Sequence, residues 1–183
     1  MKRLLILCMI ILSACNQNTP ETEAPKALYD YDVEERLAAL NITLKDAPPP
    51  VANYVNAVKT GNLMFMAGKG PTKPEGGYIT GKVGTDLTVE QGYEAAKLTA
   101  IAQLSVLKQE LGDLNKVVRI VKVLGMVNSN SSFTQHPEVI NGFSDLMVEV
   151  FGERAKHARA AVGMGSLPRN IAVEIEMIVE VQD

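Results

Sequence analysis

The stretch from Lys116 to Val127 limits the fold more than any other part of this 183-residue chain. It runs apolar almost without a break, so it reads as a strand inside a sheet with both faces covered. Such a strand needs layers around it, and the flanking segments supply them. Thr88 with Gln91 three places on makes a capping box, and Ala95, Leu98, Ile101, Ala102, Ser105 and Val106 trace a helical stripe to Leu111, closed by Gly112. His136-Pro137 opens a second helix, proline being tolerated in a first turn, and the pattern ends at Phe151-Gly152. Tyr54 to Val58 and Leu63 to Ala67 read as strands around a Thr60-Gly61-Asn62 turn, and two further strands flank Ser166 to Asn170. A short helix from Val33 to Leu40 comes first, Pro48-Pro49-Pro50 halts regular structure, and a glycine- and proline-rich loop fills Gly68 to Gly84. The order is helix, hairpin, long helix, strand, helix, strand, strand. An α+β fold with a mixed sheet and two helices packed on one face satisfies it.

The N-terminus speaks to location. Lys2 and Arg3 precede an apolar run from Leu4 to Leu12, and small residues Ser13 and Ala14 lead to Cys15. Nine apolar residues cannot cross a bilayer, which takes about 20, so residues 1–14 read as a signal peptide. Leu12-Ser13-Ala14-Cys15 resembles the lipobox of bacterial lipoproteins, which implies that Cys15 is lipidated and that the anchor is the only membrane contact. Several acyl chains at about 0.8 kcal/mol per buried CH₂ hold stably where one would not. The simpler alternative is secretion after Ala14 with a free Cys15. Asn16 in place of Asp implies the outer membrane, facing the periplasm. Residues 15–32 are polar, with Pro20, Pro25 and several acids, and are expected to form a flexible tether. One domain of residues 33–183 remains.

Composition excludes several chemistries. Cys8 leaves with the signal and Cys15 takes lipid, so no thiol remains for a nucleophile, a disulfide or a zinc site. Losing Lys2 and Arg3 moves the formal charge from −3 to −5, and no basic stripe offers itself to phosphates, so nucleic acid is not an expected partner. His136 and His157 lie too far apart for a local metal motif, and Ser144 and Ser166 lack a nucleophile signature. No phosphate-binding glycine motif occurs, and neither metal nor cofactor is expected.

The chemistry gathers in the last quarter. Arg159 stands at the start of one strand and Glu174 within the next, joined through Ser166-Leu167-Pro168-Arg169-Asn170. A charged fork beside a carboxylate could grip a small acid and aim a water at it. The plainer possibilities are a strand-end ion pair for Arg159 and a solvated face shared by Glu174, Glu176 and Glu180. The run from His157-Ala158-Arg159 through Leu167-Pro168 to Glu174-Ile175-Glu176 resembles the closing motif of the RidA/YjgF family of reactive-intermediate deaminases. The likeness reaches upstream through Ala52-Asn53-Tyr54-Val55, Gly61 to Phe65, Val121 to Gly125 and Val139-Ile140-Asn141-Gly142 to about Val33.

That resemblance implies a chorismate-mutase-like fold, a homotrimer with ligand clefts between subunits, and hydrolysis of reactive 2-imino or enamine acids to 2-keto acids and ammonia. By the same likeness Arg159 binds the substrate carboxylate, Glu174 orients the hydrolytic water, and Tyr54 and Asn141 line the substrate site; Phe133, ahead of the second helix, is a candidate pocket wall. Two departures matter. Ala161 stands where the family often has cysteine, and Ala67-Gly68-Lys69 replaces a Ser-Gly-Gln, changing the local charge. A non-catalytic module that binds small carboxylates is the second expectation, since imines arise mainly in the cytoplasm. Ribonuclease action, a label attached to part of the family, is disfavoured by the negative charge.

Overall fold

The computed structural model describes residues 27–182; the expected signal peptide, Cys15 and the expected tether as far as residue 26 lie outside the described residues. Eight principal elements follow in order: α1 (Val33–Ala39), β1 (Ala57–Thr60), β2 (Leu63–Lys69), α2 (Val89–Leu111), β3 (Val117–Asn128), α3 (His136–Phe151), β4 (Ala158–Met164) and β5 (Val173–Val181). They build one mixed sheet in the order β1-β2-β5-β3-β4, in which only the β3–β4 pairing is parallel.

Local chemistry sets the helix ends. The Thr88 hydroxyl accepts from the Gln91 N–H while the Gln91 side chain accepts from the Thr88 N–H, and Gly112 closes α2 in a left-handed conformation at φ 72°. Pro137 occupies the first turn of α3. The two helices pack on each other through Gly142, where any side chain would strike the Tyr93 backbone carbonyl. Together they cover one face of the sheet, burying Leu104, Leu107, Phe143 and Met147 against Ile120, Val123, Ile175 and Val179.

Three expectations need correction. The described domain begins before residue 33: the Tyr29 and Tyr31 hydroxyls donate to the carbonyls of Val117 (2.5 Å) and Val150 (3.1 Å), and Arg36 stacks on the Tyr31 ring. Residues 28–32 are therefore part of the packed body, and the expected tether boundary at Asp32 falls too late. Asp32 itself caps α1, accepting from the N–H groups of Glu34 and Glu35. The first strand starts at Ala57, so Tyr54 lies ahead of it. On β3, Val117, Ile120, Val123, Gly125 and Val127 are buried, whereas Arg119 and Lys122 are exposed and Leu124 and Met126 half-buried. Only one face of β3 is covered within the chain, because both helices pack on the same side.

A bulge interrupts β2. Met66 pairs with Met177 and Lys69 with Ile175, so three steps along β2 match two along β5. Gln103, fully buried on α2, donates from Nε2 to the carbonyls of Ala67 (3.0 Å) and Ile175 (2.8 Å), one on each strand of the irregular pair. Replacing Gln103 with leucine keeps the volume but strands two buried acceptors at about 1–3 kcal/mol each. The Gln103→Leu protein is therefore expected to lose about 2–4 kcal/mol in urea unfolding, whereas Gly165→Ala, where a new methyl meets nothing within 4 Å, should stay within about 0.5 kcal/mol of the parent.

Candidate functional site

Arg159 is the second residue of β4 at the sheet edge, and its side chain turns toward α3. One terminal nitrogen, Nη1, donates to Asn141 Oδ1 (2.9 Å) and to Ser144 Oγ (3.0 Å). Asn141 and Ser144 are three residues apart on α3 and so share a face of that helix. His157, two residues before Arg159, completes the cluster. Its Nδ1 lies 2.6 Å from the Ala155 carbonyl and its Nε2 3.1 Å from Ser144 Oγ. A single tautomer satisfies all four contacts: Nδ1–H donates to the carbonyl, Nε2 accepts from the serine, and the serine oxygen accepts from the arginine. Burial, and secondarily the Arg159 charge, pushes the His157 imidazole below its usual range despite the Ala155 bond, which favours that neutral form.

No carboxylate pairs with Arg159 among the described residues; both acceptors are neutral. Nε and Nη2 have no partner there. The guanidinium is oriented but not neutralised, and its remaining donors can take a carboxylate.

Glu174 leaves the sheet on the other side. Residues directly opposed on neighbouring strands share a face. Arg159 is level with Val123 and Met177, both buried under the helices, whereas Glu174 is level with Met126 and, beyond it, the exposed Val162. The two also differ by three residues along the strands, about 10 Å. The expectation that the fork lies beside this carboxylate is therefore not met within one chain. Glu174 instead lines a cleft of about 750 Å³ with Tyr54, Lys69, Arg169 and Ile171. Gly68 leaves room beside it, since a Cβ there would push the Glu174 carboxylate aside. Burial, with the Glu176 charge adding to it, raises the Glu174 carboxyl above the ordinary carboxylate range.

The candidate residues thus fall into three places. Arg159 and Asn141 are in contact, and Tyr54 and Glu174 share the large cleft. Phe133 lines a separate depression with Gly84 and Thr88, packing edge-on against His136 at 5.1 Å between ring centres. Sequence reading missed Ser144 as a partner of Arg159 and His157 as the partner of Ser144, although the i,i+3 spacing from Asn141 was there to suggest the first. Among the described residues no cluster of three or more His, Cys, Asp or Glu is arranged to hold a metal ion.

The sheet order, the helices on one face and the arginine on β4 define a chorismate-mutase-like α+β protein. Residues 34–181 match the YjgF/chorismate mutase-like family, whose description also carries an endoribonuclease label, and the chain belongs to that family. It is 42% identical over 152 residues to Protein TCP17 of Trypanosoma cruzi, covering 82% of this chain and 95% of that one. It is 28% identical over 142 residues to the 2-iminobutanoate/2-iminopropanoate deaminase of Escherichia coli, covering 75% and 94%. Among solved structures it is similar to the protein Atu1372 of Agrobacterium tumefaciens, with 43% identity, a TM-score of 0.75 and coverage of 82% and 94%. Imine deaminases are thus among the relatives of this fold.

The raised Glu174 carboxyl has a signed consequence for stability. At acid pH Glu174 is protonated folded or unfolded; as pH rises past the ordinary carboxylate value the unfolded chain ionises first, and the folded state loses ground until its own higher pKa is passed. A Glu174→Gln protein has no such loss. Its unfolding free energy relative to wild type is expected to improve from pH 4 to pH 7, as measured by urea titration at both values.

Proposed function

We propose that this chain hydrolyses small 2-imino or enamine acids to 2-keto acids and ammonia, at a cleft completed by a second copy of the chain in a homotrimer. The observation that carries the reading is the Arg159 guanidinium, anchored by Asn141 and Ser144 yet paired with no acid among the described residues. A substrate carboxylate would bridge its unoccupied donors. Glu174 would take a proton from water as the water adds to the imine carbon and pass it to the nitrogen. The tetrahedral adduct would then expel ammonia as its hydroxyl proton moves to that nitrogen, leaving the ketone and the free carboxylate. A base raised toward neutral pH suits that transfer. Positioning and one carboxylate are enough, since imines of this kind hydrolyse readily on their own.

Arg159 and Glu174 lie on opposite faces of their own sheet, so the reading brings the Glu174 of one copy to the Arg159 of another. The uncovered face supports such an assembly: Val58 and Phe65 are exposed on it beside Ile178, with Lys122 and Glu176 on the same face, a mixed surface of the sort a subunit contact covers. Tyr54, in the Glu174 cleft, would wall the substrate side chain; Phe133, in its own depression, contributes only if the second copy closes the two together.

With 2-iminopropanoate generated in place by an amino-acid oxidase, wild-type protein is expected to speed imine loss well beyond the buffer rate, and Arg159→Ala to return it to that rate. Tight keto-acid binding without faster imine loss would instead assign the protein to the non-catalytic binding class.

The proposed location rests on Leu12-Ser13-Ala14-Cys15. The mature chain would be anchored through lipid on Cys15 to the bacterial envelope, at the outer membrane facing the periplasm. Expressed in a Gram-negative host, wild type is expected in the membrane fraction and Cys15→Ser in the soluble fraction or unprocessed; equal partition of the two would remove the anchor.

A further inference from the structure

The cleft that holds Glu174 extends far beyond it, along α2 and beneath the segment 41–54 that leads to β1. Its volume of about 750 Å³ is much more than a three-carbon acid fills and falls in the range that encloses drug-sized ligands. Leu98, Ile101 and Ala102 of α2 line it together with Ile42 and Pro50, so its long wall is apolar.

Lys69 lies in this wall just past the β2 bulge, half-buried. Its ammonium donates to Asn56 Oδ1 at 2.5 Å, and Asn56, itself buried, donates in turn to the Pro48 carbonyl at 3.2 Å. The amide is thus held with its oxygen toward the lysine. No carboxylate pairs with Lys69 among the described residues. A half-buried cation with one neutral acceptor is poorly compensated, and burial accordingly lowers its proton affinity. Lys45, Lys73 and Arg169 line the same cleft against Asp46 and Glu174, an excess of positive charge on a chain whose formal charge is −3.

Apolar length ending at an uncompensated ammonium selects one chemistry. We propose that this cleft binds an amphipathic carboxylate, an aliphatic or aromatic acid whose head group docks on Lys69 and whose apolar body lies along Leu98 and Ile101. The head-group anchor, Lys69, is separate from Arg159, although the cleft is the one that holds Glu174 and Tyr54, and the binding stands whether or not the protein turns over imines. Its competitor is a second copy of the chain seated on the exposed Val51 and Tyr54 at the cleft margin.

Isothermal titration of the purified protein with octanoate, octanol and acetate tests the assignment. Octanoate should bind saturably, octanol on the order of tenfold or more weakly because it cannot form the charge-assisted bond, and acetate not at all because it lacks the body. Lys69→Gln, which keeps a donor for Asn56, should pull octanoate down to the octanol value, and Ile101→Asp should abolish binding. Equal affinity of wild type for octanoate and octanol would overturn the proposal. So would undiminished octanoate binding by both variants. A wild-type oligomer, stable by sedimentation, that binds no octanoate would assign the cleft to a subunit contact instead. Should Lys69→Gln melt below the assay temperature, the octanoate-to-octanol ratio of wild type decides alone.

Discussion

A single buried amide holds the functional half of this molecule in register. Where β2 carries one residue more than β5, the ladder between them slips, and Gln103 reaches down from α2 to donate to a carbonyl on each strand. Its own buried oxygen finds no partner among the described residues, a cost of about 1–3 kcal/mol that the two donated bonds offset. An apolar residue of equal size would give α2 the same burial but could not answer the strands. The bulge places Gly68 against the Glu174 side chain and sends Lys69 into the cleft. Gln103 therefore links the long helix, the irregular pair and two charged groups that have no oppositely charged partner among the described residues.

The separation of Arg159 and Glu174 follows from strand order and parity. β3 lies between their strands, and an odd offset in register turns the two side chains to opposite faces. No rotamer change can bring them together. Any chemistry that needs both must draw on a second copy. The same parity puts Glu174 on the face of Glu176, where partial burial and, after it, the like charge of Glu176 lift its proton affinity.

Much of this was legible in the sequence, for reasons that differ by element. The N-terminal cap of α2 is written in the side chains of Thr88 and Gln91 and its end in the left-handed Gly112, so local residues announced both ends correctly. The Leu-Pro and Glu-Ile-Glu motifs located β5, because alternation exposes its period directly. Long-range facts were not legible. The strap of Tyr29 and Tyr31 uses carbonyls about 90 and 120 residues away, and local composition, polar and acidic, gave no hint of it. The apolarity of β3 suggested burial on both faces, but its outer side carries the exposed Arg119 and Lys122, because both helices pack on the other side. Tyr54 fell outside β1 because the strand begins only where β2 offers a partner, at Met66 opposite Ala57.

The environment of Arg159 argues for use more than for support. A structural arginine at a strand edge would gain most from an acid, and α3 offers Asp145 one residue from Ser144; Asp145 instead accepts from the Tyr93 hydroxyl at 3.0 Å. What faces the guanidinium is an amide oxygen and a hydroxyl, the latter held by a histidine that burial keeps from taking up charge. Neutral acceptors fix direction while leaving the positive charge unspent, and a half-buried, unspent charge raises the affinity for any anion that can reach it. An acid in the place of Asn141 or Ser144 would tighten the fold locally and close the site to a carboxylate in the same stroke.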